Sequence, residues 1–265
     1  MFEIMLYPLL AMLAISLLAG AYGCQMIWHK LSCLGDALSH GALLGIAAGM
    51  LLNLQRTVSL FALSLVWALF LWLMTNKKKA STDTILAFLT QASMAIAILF
   101  YAISGNSQAP LMHAFLGDVL LIGYRQVLCI CAVVCVLGVL LLFCWNKWLL
   151  IAISPDLAAA QKIPVSVFRF LFFACIGFFM AESMQYLGAL LAPAFFIMPP
   201  LIARGLSNTP LKMVSIATVI ALLSAFLGVL VSFYWDLPTG AAIIAIDLIL
   251  FLFEFFVLSI KKILT

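Results

Sequence analysis

Asp36 and His40 are the residues of this sequence whose types and spacing suggest chemistry most directly. In LGDALSHG they are four apart, so on a helix both side chains leave one face. A carboxylate oxygen and an imidazole nitrogen are both competent ligands for Zn²⁺ or Mn²⁺. Two ligands are too few to trap an ion, but they suit a site the ion must leave quickly. The same spacing describes an Asp–His hydrogen bond that only ties helices together, and the pattern alone does not separate the two. Glu182, Asp247 and Glu254 also lie in apolar runs. An ionisable group in hydrocarbon costs roughly 2.5–3.5 kcal/mol on insertion scales, so each needs a partner, a watery cavity or an interface. Asp247 and Glu254 are seven residues apart and share a face, and no cation of their own run meets them at mid-depth. His113 and Asp118 fall on a short apolar stretch, 111–123, expected to be re-entrant or interfacial on the outer side, where they could meet an incoming cation. His29, beside Lys30, is expected to be solvated.

Much other chemistry is excluded. The phosphate loop G-x-x-x-x-G-K-[ST] is absent, so any use of ATP requires a separate chain. No nucleophile–base constellation or zincin helix appears, and an enzyme is not expected. The seven cysteines contain no C-x-x-C pair, and Cys129, Cys131 and Cys135 sit in one apolar run. They read as small hydrophobes.

The elements that must position these residues are membrane helices. Of 265 residues, 67% are hydrophobic and 8% charged, against about 25% charged in a soluble domain. Apolar runs fall near 5–27, 31–53, 57–75, 83–104, 127–146, 167–187, 188–203, 211–235 and 239–260. The predicted fold is all-α, a polytopic transmembrane helix bundle of eight or nine spans forming one domain over 1–265. The seventh run is weak, short and interrupted by Pro193, Pro199 and Pro200. No cleavable signal peptide is expected, because the first run is too long and lacks a basic start. With Lys30 placed inside and the runs alternated, all 13 Lys and Arg residues except Arg56 and Arg125 fall on the cytoplasmic side. This parity needs the seventh run to count, and it predicts the N-terminus outside and the C-terminus in the cytoplasm. The net charge of +4 gives no indication of nucleic acid. Gly41, Gly45 and Gly49 form a close-approach face on the second run.

The longest cytoplasmic connection is expected at 146–168. Ser154 is a good N-cap, Pro155 fits the first helical position, Asp156 suits the first turn, and Leu157 to Gln161 continue as helix formers before Pro164. On physics alone this short helix is equally a plain interfacial connector or a docking element.

Four blocks, in order, resemble the metal-ion ABC-importer permeases of bacteria: LSCLGDALSHGALLGIAAGMLL, AFLGDVLL, AISPDLAAAQKIPV, and QYLGALLAPAFFIMPPLIAR with FYWDLPTGAAI. Within that family ISPDLA looks most like the zinc branch. The resemblance implies a homodimer of permeases in the bacterial inner membrane, each contacted by a cytoplasmic ABC ATPase and fed by an extracytoplasmic metal-binding protein. It implies no permanently bound cofactor, only transported Zn²⁺ (or Mn²⁺ or Fe²⁺). Asp36 and His40 would contact the metal. Residues 154–165, with Ser154, Pro155, Asp156, Leu157, Ala158, Ala159, Ala160 and Gln161, would form the cytoplasmic coupling helix. One position departs: where many relatives carry Gly near the end of that helix, this chain has Lys162-Ile163, which predicts a different helix end. The rival of another class is a stand-alone secondary transporter driven by protons through Asp36, Glu182, Asp247 and Glu254.

Overall fold

The computed structural model describes residues 2–76, 81–104, 115, 117 and 119–264, and among these there is no strand. The helices are α1 (Phe2–Trp28), α2 (Leu34–Leu52), α3 (Arg56–Asn76), α4 (Thr82–Ser104), α5 (Tyr124–Ile153), α6 (Pro155–Ala160), α7 (Val165–Leu187), α8 (Ala192–Leu206), α9 (Pro210–Trp235) and α10 (Thr239–Leu264), with a 3₁₀ turn at Val119–Leu121. Eight of them are long and apolar enough to cross a membrane; α8, with 15 residues, is the shorter apolar helix. His113, Asp118 and Lys77–Lys79 lie outside the described residues, and so does most of the stretch expected to be re-entrant.

Contacts define the two ends of the bundle. At one end Tyr7 of α1 meets Tyr124 of α5 with ring centroids 6.1 Å apart, and Gly240 of α10 lies against Leu187 and Leu191. At the other, Trp28 meets Trp145 at 5.8 Å, and Asn76 Nδ2 donates to Ser166 Oγ at 2.8 Å. Ala203 of α8 belongs to this second end, buried with Cys24 and Met213. α8 therefore runs from one end to the other despite its length of about 22 Å, the turn at 188–191 supplying the remainder. Counting it, α1 and α10 both start at the first end, and the chain makes an odd number of passes.

The core joins α1, α5, α7 and α8 through rings. Tyr22 packs on Trp148 and Phe179, Trp148 on Phe172, and Phe179 on Phe196 at 4.8 Å. The polar atoms of these rings are satisfied at the backbone: Tyr22 Oη donates to Leu137 O at 3.0 Å and Trp148 Nε1 to Phe168 O at 2.9 Å. Gly23 fits α1 onto α8 at its weakest point. Pro200 has no N–H to give Phe196 O, and the Cα of Gly23 faces that oxygen directly, where a Cβ would collide with it. Neighbouring helices restore freed backbone groups in this way inside membranes.

Two expectations are corrected. α5 runs on to Ile153, so residues 146–153 are helix and the connection shrinks to 154–164. Asn146 and Lys147 interrupt the hydropathy but not the helix, because Lys147 Nζ sits over the Phe168 ring at 4.6 Å while Trp148 is fully buried. His29 is not simply solvated. Its ring packs on Phe172 at 4.6 Å and its Nε2 is buried without a hydrogen bond. Burial, helped by the Arg169 guanidinium, pushes its pKa down to about 4.

Among the described residues, four other than glycine take left-handed backbone: Lys30, Asn53, Lys162 and Asp236. Each follows a helix and closes it. Leu31 N returns to Met26 O, Leu54 N to Gly49 O, Ile163 N to Ala158 O and Leu237 N to Ser232 O, at 2.9–3.2 Å. These are the wider hydrogen bonds of Schellman stops.

Candidate metal pathway

α2 is the most enclosed of the membrane helices, and the glycine face expected from its sequence is where α3 lies. A Cβ on Gly41 would collide with the Trp67 indole, while Gly45 and Gly49 face Leu63 and Ser59, and Ser59 Oγ donates to Gly45 O. Gly35, beside Asp36, sits near Met180 of α7 and Pro193 of α8 (3.0 and 3.1 Å from an ideal Cβ). Met180 is well inside α7, so the first turn of α2 starts deep in the bundle. A continuous helix rising from Lys30 at about 1.5 Å per residue would also bring Asp36 to mid-depth. The structure reaches it differently, because Lys30 is left-handed and 31–33 form a turn.

On this buried helix Asp36 is exposed and His40 half-buried. His40 Nδ1 is buried and has no hydrogen-bond partner. The Asp–His hydrogen bond of the packing alternative is therefore not made through Nδ1. An open carboxylate and a vacant imidazole nitrogen share one helix face. Among the described residues no group of three or more His, Cys, Asp or Glu side chains could hold a metal ion together. One chain thus offers a pair of ligands rather than a closed metal centre. The cysteines are unpaired thiols: Cys24, Cys144 and Cys175 are buried, and the others are exposed or half-buried.

The other acids are not brought to this pair. Glu182 is 4% exposed and accepts hydrogen bonds from Gln185 Nε2 and Tyr186 Oη, both at 3.2 Å. Asp247 is fully buried on α10, and neither carboxylate oxygen has a hydrogen-bond partner. Glu254, two turns on, is also buried.

α6 forms as its sequence dictates. Ser154 Oγ accepts from Leu157 N at 3.3 Å, Pro155 takes the first helical position and Asp156 the first turn. Ala158 is buried against the bundle, whereas Pro155, Asp156, Leu157, Ala159, Ala160 and Gln161 are exposed. The helix ends as it would with glycine. Lys162 N donates to Ala159 O and Ile163 N to Ala158 O, with Lys162 at φ 60°.

The sequence matches the ABC 3 transport family over residues 1–258. The chain belongs to that family. As one of its membrane permeases it is a transport subunit, not an enzyme, and ATP hydrolysis belongs to a separate subunit. It is 31% identical over 258 residues to the high-affinity zinc uptake system membrane protein ZnuB of Haemophilus influenzae, covering 97% of this chain and 98% of that one. It is 22% identical to the manganese import system permease protein ScaB of Streptococcus parasanguinis, covering 97% and 91%. PsaBC from Streptococcus pneumoniae, solved in complex with a Fab, has the same fold, with a TM-score of 0.83 at 22% identity over 94% of this permease and 90% of that chain.

Proposed function

We propose that the permease carries a divalent metal, zinc first, from an extracytoplasmic binding protein into the bacterial cytoplasm, with Asp36 and His40 as its ligands. The observation that carries this reading is the open Asp36 carboxylate beside the unpartnered Nδ1 of His40 on an otherwise enclosed helix. A charge left open at that depth needs water or a cation. Zinc is favoured over manganese or iron because the zinc relative matches at 31% identity and the manganese relative at 22%.

Since the described residues of one chain bring only two ligands together, the working unit is a homodimer with the path at or near its twofold axis. α6, apolar and exposed at the end of the bundle where Lys30, Lys147, Arg169 and Lys212 lie, is the docking helix for an ABC ATPase on the cytoplasmic side. The same cation distribution supports an N-terminus outside and a C-terminus inside. Family membership argues against a stand-alone proton-driven carrier.

Uptake of isotopic zinc, normalised to permease in the membrane, tests the ligand pair. Asp36→Asn and His40→Ala should each abolish uptake while abundance and melting temperature stay near wild type. Wild-type uptake per molecule in Asp36→Asn would end the hypothesis.

A further inference from the structure

Arg56 and Arg125 are the two cations that break the charge asymmetry of the chain, and the fold brings them together. α3, α5 and α7 enclose a cavity of about 890 Å³ lined by both guanidinium-bearing residues, with Gln126, Glu182 and Tyr186 among its other walls. A second cavity of about 520 Å³ shares Phe61, Ala132 and Val133 with the first and continues between the same three helices. Its wall is wholly apolar, with Val136 and Leu140 on α5 facing Leu171 and Phe178 on α7. Both volumes fall in the range of roughly 300–1,000 Å³ typical of small-ligand sites.

The two compartments ask for opposite chemistry in one molecule. In the larger chamber, whose wall mixes polar and apolar residues, two arginines share the lining with one carboxylate, and Glu182 already accepts from Gln185 and Tyr186. The chamber is left with one excess positive charge, and α3 and α5 both begin beside it, adding the positive ends of their dipoles. A divalent cation would be repelled there. A second copy joined to this face about a twofold axis would bring four guanidinium groups together. A hydrocarbon chain suits the lower groove and nothing polar does.

We infer that this groove holds one phospholipid with a net anionic headgroup. Its phosphate lies between Arg56 and Arg125, and one acyl chain runs along α5 between α3 and α7. Arginine pairs suit phosphate oxygens because the guanidinium fork donates two parallel hydrogen bonds. The lipid completes the wall of the bundle where α3 and α5 do not pack closely on each other, which makes it a structural lipid rather than a transported one.

Native mass spectrometry of the permease purified with its ATPase, exchanged into phosphatidylglycerol or phosphatidylcholine, tests this. Wild type should retain one phosphatidylglycerol per permease through delipidation and release phosphatidylcholine. At about 1 kcal/mol per arginine, each of Arg56→Gln and Arg125→Gln should lower that preference about fivefold. Ala132→Phe, which fills the groove without touching the charge, should displace the lipid with both arginines present. Both arginines are exposed, and a melting curve checks that each variant is folded. Equal retention of both lipids, or retention unchanged in the double arginine variant, would overturn the proposal. So would inorganic phosphate binding the delipidated protein as tightly as the lipid does, or a disulfide between two copies forming quantitatively through Ala132→Cys.

Discussion

Gly23→Ala and Gly138→Ala make the same chemical change in two membrane helices and should have opposite effects. A Cβ at Gly23 would collide with Phe196 O and stand 2.6 Å from Pro200 Cγ. The obstacle includes backbone, so α1 and α8 must part. Overpacking of this kind costs about 1–3 kcal/mol, and replacing glycine by alanine inside a helix returns about 1 kcal/mol. The net loss is up to about 2 kcal/mol. At Gly138 the nearest atom to a Cβ is Leu18 Cδ2, at 3.6 Å. That is ordinary contact, so only the propensity gain remains, about 0.4–1 kcal/mol. Taking about 2–4 °C per kcal/mol for a chain somewhat shorter than this one, Gly23→Ala should melt several degrees lower and Gly138→Ala slightly higher. Thermal melts of both variants in one detergent, by intrinsic fluorescence, make the comparison. Uptake should fall with Gly23→Ala as well, because α8 carries Pro193, which packs beside Gly35 and so next to Asp36. Shifts of the same sign and size would refute the claim that close helix approach sets this contact.

Lys162→Gly should strengthen the end of α6. It relieves a left-handed residue, worth about 1–2 kcal/mol, against about 0.4–1 kcal/mol of extra unfolded-state freedom, and hydrogen exchange at the Ile163 amide should slow about two- to fivefold. Asp156→Lys and Ala159→Trp alter exposed positions of α6, and each should abolish stimulation of the partner ATPase while the permease stays folded; full stimulation in both would make α6 a connector only. His29 should impose a pH dependence on stability. Its folded pKa is about 4 against about 6.5 in the unfolded chain, so the unfolded state takes up the proton first and stability falls as pH drops from about 6.5 towards 4. Melting temperature against pH in wild type and His29→Gln checks this, and the variant should flatten that window.

How much could be read in the sequence differs from element to element. The N-cap of α6 and the shared face of Asp36 and His40 were legible because each depends only on residues within a few positions. That the short seventh run is an element of its own was legible too, since the cation pattern called for it, and α8 runs from one end of the bundle to the other. The extension of α5 through Lys147 was not, because hydropathy counts a charge as a break while the fold rests that ammonium on the Phe168 ring. The burial of His29 depends on Phe172, a long-range partner that no local pattern reveals. The same holds for the chamber where Arg56, Arg125 and Glu182 meet. That Asp36 stays open while its helix is enclosed is a property of the neighbours of α2 and not of its own sequence.

The corner at Lys162 has a mechanical consequence. Two hydrogen bonds close it, Pro164 follows, and α7 begins one residue later. Such an elbow has little slack, so a push delivered to α6 reaches α7 as displacement instead of dissipating in a loose joint. The first turn of α7 is in turn fastened to α3, where Trp72 Nε1 and Asn76 Nδ2 both bond Ser166 at 2.8–2.9 Å. From α3 the load path continues through the Trp67 ring to Gly41, the neighbour of His40. α6 and the Asp36–His40 pair are thereby two ends of one stiff linkage.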